Sequence, residues 1–369
     1  MNILKNAYIL AVIKRIYLKK TYLPIIPAIY ALFHLLKNRD LNSATKIITL
    51  GILTSFVLTM GSLGSYISPV RYFQLISIFI FADFLYTHGK THEVLLSIKA
   101  LIIIASIFVI LETFIPITLY SNKTFYLLNR VSGITGEPNF SSALLFSVGI
   151  FLFYFKNLKW SVLAIILGSF GFSRGFIFAL LIGLIFLLIK KINKNVLELL
   201  SKVVFITFLS YPLLLEISHQ YLPKKVFQKI HDLNPRLKHQ LFFIDSVKNN
   251  PLGIGLGNAK EYYKNNYKII FKKGPGEKRN EQHNLPTQIL SELGIPFYLS
   301  FIIISLFYLF RLKNSWPITL VLTPYFFLNG LNEILLYIFI PIIIKYETEE
   351  NKSFADFFKS RPKWWPQAS

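Results

Sequence analysis

Residues 94–117 read VLLSIKALIIIASIFVILETFIPI, and residues 175–189 read GFIFALLIGLIFLLI. Runs of this kind approach or exceed the roughly 17–25 apolar residues that cross a bilayer as a helix. They recur along the chain, near 22–36, 46–61, 67–86, 138–155, 158–172, 199–217, 290–310, 315–329 and 331–345, which makes eleven candidate spans. Several are short, so tilt or local thinning of the bilayer is implied. Composition agrees. Of 369 residues, 53% are hydrophobic and only 16% are charged, where a soluble domain carries about a quarter. The expected fold is an all-α polytopic membrane protein, and a soluble cytosolic enzyme is excluded. The chain has no cysteine, which removes disulfides, thiolate metal sites and cysteine nucleophiles. Its 35 phenylalanines and 20 tyrosines argue against disorder.

Orientation follows from Lys and Arg in short loops, which accumulate on the cytoplasmic side. The loops 37–46, 87–93, 156–160, 190–198 and 311–313 together hold eleven basic residues, and the alternating set (62–71, 118–137, 173–174, 330–333) holds four. The first set is expected to be cytoplasmic, together with the tail 346–369. Eleven spans would then leave the N-terminus outside, although Lys5, Lys14, Arg15, Lys19 and Lys20 argue for the inside. Either residues 3–18 form a twelfth span or Pro24 and Pro27 mark a re-entrant segment; we favour twelve. Lys14 and Arg15 interrupt the apolar stretch, so residues 1–20 do not read as a cleaved signal peptide.

One loop is long. Residues 218–285 carry 13 Lys and Arg against five acids, and four of the seven histidines. The orientation places it outside the cytoplasm, where a basic surface beside a membrane attracts phospholipid headgroups or a phosphorylated substrate. Three arginines lie at outward ends of spans or in this loop: Arg130 in NRVSGITGEPNF, Arg174 in GFSRGFIF and Arg236 in NPRLKHQ. Arg174 has no acid within eight residues, so it needs a counter-ion, and a guanidinium binds phosphate oxygens bidentately. Snorkelling, or pairing with Glu137 or Glu333 from another span, is the structural alternative. His283, where the long loop re-enters the membrane, has the pKa range to take a proton from a hydroxyl, or simply to bond at a helix start. The glycines of PLGIGLGN (251–258) lack the strand–helix context of a dinucleotide fingerprint and read as a tight turn. No outward pair of acids is spaced to hold a metal on a pyrophosphate, so arginines would have to neutralise one.

Taken in order, these pieces resemble the O-antigen polymerase/ligase superfamily of bacterial surface-glycan enzymes. The series is R-x-x-G-x-x-x-x-P-N (Arg130, Gly133, Pro138, Asn139), then S-R-G opening a span (Ser173, Arg174, Gly175), then Arg236 in the long loop. It continues with N-P-L-G-x-G-x-G-N (Asn250 to Asn258) and H-N-x-x-x-Q-x-x-x-E-x-G (His283, Asn284, Gln288, Glu292, Gly294). The resemblance covers roughly residues 125–310. It implies a bundle of the C-type membrane glycosyltransferase kind, with about 11–12 transmembrane helices in the inner membrane and a large helical periplasmic loop at 218–285. It also implies metal-independent, inverting glycosyl transfer, without cofactor, from a glycan on undecaprenyl pyrophosphate. His283 would be the base with Glu137 as second candidate, and Arg174, Arg236 and Arg130 would hold the pyrophosphate. The implied partners are the lipid-linked oligosaccharide as donor and acceptor, membrane lipids and a chain-length regulator protein, with no nucleic acid. The acid in GEPNF looks more like polymerases than ligases, which transfer finished polymer to lipid A-core. A lipid-linked oligosaccharide flippase is the alternative from another class, although internal pseudo-symmetry and mid-membrane charge would then be expected.

Overall fold

A computed structural model describes residues 46, 49–57, 69–88, 91–114, 138–171, 173–221, 235–259, 261–263, 265–266, 284–312, 314–327 and 339–347. The candidate spans 3–18 and 22–36 and the tail 346–369 beyond residue 347 lie outside them. Every regular element among the described residues is helical. In chain order these are α1 (Pro69–His88), α2 (Thr91–Phe114), α3 (Pro138–Tyr154), α4 (Leu158–Ser169), α5 (Arg174–Ile192), α6 (Lys194–Tyr221), α7 (Pro235–Asn249), α8 (Leu285–Arg311) and α9 (Trp316–Leu322), which runs into a 3-10 turn, Thr323–Phe327. Shorter helical pieces occupy 49–57 and 339–347.

The segments His92–Thr113, Lys194–Tyr221 and Leu285–Arg311 are long and apolar enough to cross a membrane, and Leu75–His88, Asn139–Tyr154, Leu158–Ser169 and Gly175–Lys190 are shorter apolar helices. At 1.5 Å per residue, the 24 residues of α2 reach about 36 Å, more than the hydrocarbon thickness. A lipid environment demands internal pairing of every backbone group, which is why Ile-rich and Val-rich runs that would suit a strand in water are helical here. Hydroxyls within these helices follow the same rule. Ser97, Ser106 and Thr113 donate to the carbonyls of Glu93, Ile102 and Val109 one turn back. Large apolar side chains such as Leu184, Leu188, Leu199, Ile303 and Phe310 remain exposed on outer faces, as lipid-facing residues do. The chain is an all-α polytopic membrane protein.

Small residues set the closest helix approach. α3 and α4 form a hairpin through a turn at Phe155–Asn157, and Ser161 Oγ donates across it to the carbonyl of Gly149 at 2.7 Å. A Cβ on Gly149 would stand 2.7 Å from Ile165 Cγ1, and one on Gly168 would stand 2.9 Å from Phe176. Without a hydrophobic force between helices in lipid, such close backbone contact is the main source of adhesion. α9 packs on α3, where Ser147 Oγ donates to Val321 O at 2.9 Å. α6 carries Pro212 within it, and the backbone bond that this proline cannot make loosens the ladder beside Leu209. The Tyr298 hydroxyl of α8 donates to the Leu209 carbonyl there, fastening α8 to α6.

At one end of the bundle several loops are tied together. The Tyr154 hydroxyl donates to the Glu347 carboxylate, to which Asn314 Nδ2 also donates at 3.0 Å. Ser315 N–H donates to Glu198 Oε2 at 2.7 Å, Lys190 lies 4.8 Å from the Trp316 ring, and Lys345 donates to Thr87 O at 3.2 Å. The loops 87–93, 156–160, 190–198 and 311–313, grouped above by their basic residues, thus share one end. The start of α5, about 24 Å from Lys190 along the helix axis, belongs to the other end.

Gly149→Val should lower the melting temperature of the detergent-purified protein, because the added methyls collide with Ile165 across the α3–α4 contact. A cost of roughly 1–3 kcal/mol is expected for overpacking of this kind. An unchanged melting temperature would mean that the hairpin is not closely packed there.

Candidate functional site

The site is built on α8, where the long loop rejoins the bundle. Asn284 caps the helix with extended backbone (φ −152°, ψ 126°), and its side chain accepts from the Thr287 N–H at 3.0 Å and from the Thr287 hydroxyl at 3.1 Å. Pro286 stands in the first turn, where its missing N–H costs no bond. Below the cap a polar stripe, Asn284, Thr287, Gln288, Ser291 and Glu292, recurs at three-residue and four-residue spacing, and all five are buried. Several of its bonds are internal. Ser291 Oγ donates to Thr287 O at 2.9 Å, and Gln288 Nε2 donates to Glu292 Oε2 at 3.2 Å. Buried polar groups in a membrane helix are expensive and are usually functional.

The helix then breaks. Gly294 has φ 84° and ψ 173°, and Pro296 follows two residues later. In an unbroken helix the carbonyls of Ser291 and Glu292 would accept from residues 295 and 296. Here the Ile295 N–H points elsewhere, donating to Pro251 O at 2.8 Å, and Pro296 has no N–H. The glycine turn 250–258 supplies the missing donors. Ile254 N–H donates to Ser291 O at 2.8 Å and Gly255 N–H to Glu292 O at 3.0 Å. Close backbone approach is what the glycines permit. A Cβ at Gly253 (φ 94°) would lie 2.6 Å from Glu292 O, and one at Gly294 would lie 2.3 Å from the Leu252 carbonyl carbon.

The turn is held from its other side as well. The Leu256 N–H donates to the Tyr72 hydroxyl of α1 at 3.0 Å, and Asn258 Nδ2 donates to Ile254 O at 3.0 Å. A small core of Phe242, Phe243, Ile254, Ala259 and Tyr263 joins it to α7. α7 in turn packs on α6: the Tyr211 hydroxyl donates to Gln240 Oε1 at 2.6 Å, and Lys248 pairs with Glu216 at 2.8 Å. The Glu216 bond, then that of Asp245, raises the pKa of Lys248. Because Gln240 meets Tyr211 and Lys248 meets Glu216, the two helices run in the same sense. The Arg236 end of α7 is therefore the end nearer the middle of α6.

Of the site residues expected from sequence, Arg174 opens α5 and Arg236 lies in the first turn of α7. Ser173, the cap residue before Arg174, is extended and buried. His283, Glu137 and Arg130 lie outside the described residues, although their neighbours Asn284 and Pro138 begin α8 and α3. Among the described residues, no three His, Asp or Glu side chains converge as metal ligands. Sequence reasoning took 251–258 as a turn returning the chain to the membrane but missed its mate, the break at Gly294 within the candidate span 290–310. It also passed over Gln288 as a buried residue. Both signals were legible: Gly-Ile-Pro at 294–296, and a polar residue every three or four positions from 284 to 292.

Gly294→Ala should destabilise the protein by more than about 2 kcal/mol, since the methyl meets backbone and the left-handed conformation is lost. It should also speed proteolysis of the 218–285 loop, seen as earlier cleavage in a limited-digestion series. Wild-type melting and digestion would contradict the docking described above.

Residues 140–302 match a family model described as O-antigen ligase. No curated protein matches the chain. The matched stretch begins one residue after Asn139, contains Arg174, Arg236, the glycine turn and the polar stripe of α8, and ends eight residues past the break at Gly294. Members of that family are glycosyl-transferring enzymes, of O-antigen ligase or polymerase type. The match at 140–302, with the ordered motifs it spans, supports the O-antigen polymerase/ligase superfamily for this membrane protein.

Proposed function

We propose that this protein is a surface-polysaccharide polymerase of the bacterial inner membrane, working at the periplasmic face. It would transfer a glycan from undecaprenyl pyrophosphate to a hydroxyl of another lipid-linked repeat unit, with inversion and without a metal. The observation that carries this reading is the broken helix α8, whose buried polar stripe and glycine lock form a rigid polar site at one end of an apolar bundle. The helices α3 and α5 begin at that same end, the former just after Glu137 and the latter at Arg174. Helix starts carry partial positive charge from unpaired N–H groups and favour an anionic ligand such as a pyrophosphate.

In this mechanism the acceptor oxygen forms a bond to the anomeric carbon as the bond to the pyrophosphate oxygen breaks. His283 takes the hydroxyl proton, and the electron pair leaves with undecaprenyl pyrophosphate. Arg174 and Arg236, with Arg130, meet the growing charge on the leaving group. Pre-aligned charge in a poorly hydrated site contributes about 3–4 kcal/mol per donor elsewhere. The acid of GEPNF, at Glu137, favours polymerase over ligase; the ligase reading shares the donor and the leaving group and differs in the acceptor.

A deletion strain decides between them. A core bearing a single repeat unit, with no ladder on a gel, is the expected result. Bare core with long polymer retained on undecaprenyl pyrophosphate would instead make the protein a ligase. His283→Ala should abolish chain growth at wild-type protein level in the membrane; normal glycan length would leave Glu137 as the candidate base. Arg174→Lys should lose about 10²–10³ in turnover, because an ammonium cannot reproduce the planar fork. Retained turnover in that variant would make Arg174 a structural residue.

A further inference from the structure

Gln288 carries a side-chain carbonyl, Oε1, that is buried and has no hydrogen-bond partner among the described residues, although the side chain is only 2% exposed. The orientation of its amide is set by Glu292. A carboxylate only accepts, so the amide nitrogen must face Glu292 Oε2, 3.2 Å away, and the carbonyl must face elsewhere. The two described hydroxyls nearest in the helix are engaged elsewhere. The Thr287 hydroxyl is committed to Asn284 Oδ1 and the Ser291 hydroxyl to Thr287 O. The helix cannot shift to pair Oε1 either, because the carbonyls of Ser291 and Glu292 are pinned by the glycine turn. A buried acceptor without a donor among the described residues is costly, and such groups are rare enough to need an explanation.

The missing partner must present an O–H or N–H. A lipid chain has neither, and an ionised pyrophosphate offers only acceptors. A sugar hydroxyl supplies the donor. We infer that Gln288 Oε1 receives a hydroxyl of the acceptor sugar, which makes Gln288 an acceptor-binding residue. The inference rests on the glycosyl-transfer reading and deepens it. Gln288 lies in the first two turns of α8 and, in the sequence, five residues after the proposed base His283. Holding the acceptor there fixes its orientation before reaction, and orientation of this kind accounts for much of the barrier lowering in bimolecular transfer. Sites built to hydrogen-bond a hydroxyl also discriminate strongly against acceptors lacking it.

The test uses the full-length protein in lipid nanodiscs. Undecaprenyl-pyrophosphate-linked repeat units extracted from a strain lacking the protein serve as donor, and the repeat oligosaccharide released from them by mild acid serves as the varied acceptor. Gln288→Met, close in length but with no acceptor atom, should raise KM for the oligosaccharide about tenfold. The KM for the lipid-linked donor, the pH profile and the melting temperature should stay as in the wild type. A wild-type acceptor KM would overturn the inference and leave the orphan carbonyl to a bound water. A shifted pH profile at unchanged KM would overturn it too, making Gln288 a positioning residue for His283. A raised donor KM together with a lowered melting temperature would make it structural. If Gln288→Met does not fold, Gln288→Asn, which withdraws the carbonyl by one methylene, is read by the same criteria. Should the wild-type protein release no undecaprenyl pyrophosphate at all, the glycosyl-transfer reading falls and this inference with it. Transfer by the wild type and Gln288→Met alike removes the inference alone.

Discussion

Two backbone carbonyls organise the functional end of this protein. Ser291 and Glu292 lose their helical partners because Gly294 turns the chain and Pro296 has no N–H to give. In hydrocarbon an orphan carbonyl costs several kcal/mol, so the break can exist only where another segment brings donors to it. The Ile254 and Gly255 N–H groups do that, and the Ile295 N–H repays the contact at Pro251. Three backbone bonds therefore join a membrane helix to the end of a long loop, and the loop's α7 is carried back onto α6 by the same attachment.

The two ends of the bundle are held by different means. At the end away from the loop, the Glu347 carboxylate gathers Tyr154 and Asn314, while Glu198 accepts from the Ser315 backbone. Side-chain clasps of this kind, together with Lys190 over Trp316, close that end between neighbouring turns. At the loop-bearing end, backbone bonds join the glycine turn to α8, and side chains such as Tyr72, Tyr211 and Lys248 hold the turn and α7 from the other side. Glu292 serves two tasks: its main-chain carbonyl takes the glycine turn, and its carboxylate sets the Gln288 amide. Scaffold and site are thus joined in one residue.

Much of the fold was legible from local pattern. The apolar runs 138–155, 158–172, 175–189 and 199–217 fall on α3, α4, α5 and α6 within a few residues, because a lipid-buried backbone leaves the helix as the only open structure for such runs. Loop charge grouped four connections that the structure brings to one end. Of the candidate site residues, Arg174 and Arg236 fall at helix starts, but the course of α7, packed parallel on α6, depends on contacts between residues 211–216 and 240–248 that no local pattern announces.

The sequence by itself determined a helical, many-spanning membrane chain, the grouping of four of its loops and the order of its motifs, since each of these is written in residues close together along the chain. Only the tertiary structure decided that the glycine turn and the Gly294 break are two halves of one lock, and that Gln288 is left with a carbonyl unmatched. The glycine turn lies about 40 residues from the break, and a backbone hydrogen bond between them leaves no mark on side-chain chemistry except the glycines that permit it. Burial of a polar side chain such as Gln288 is likewise a property of what packs around it and not of its neighbours in sequence.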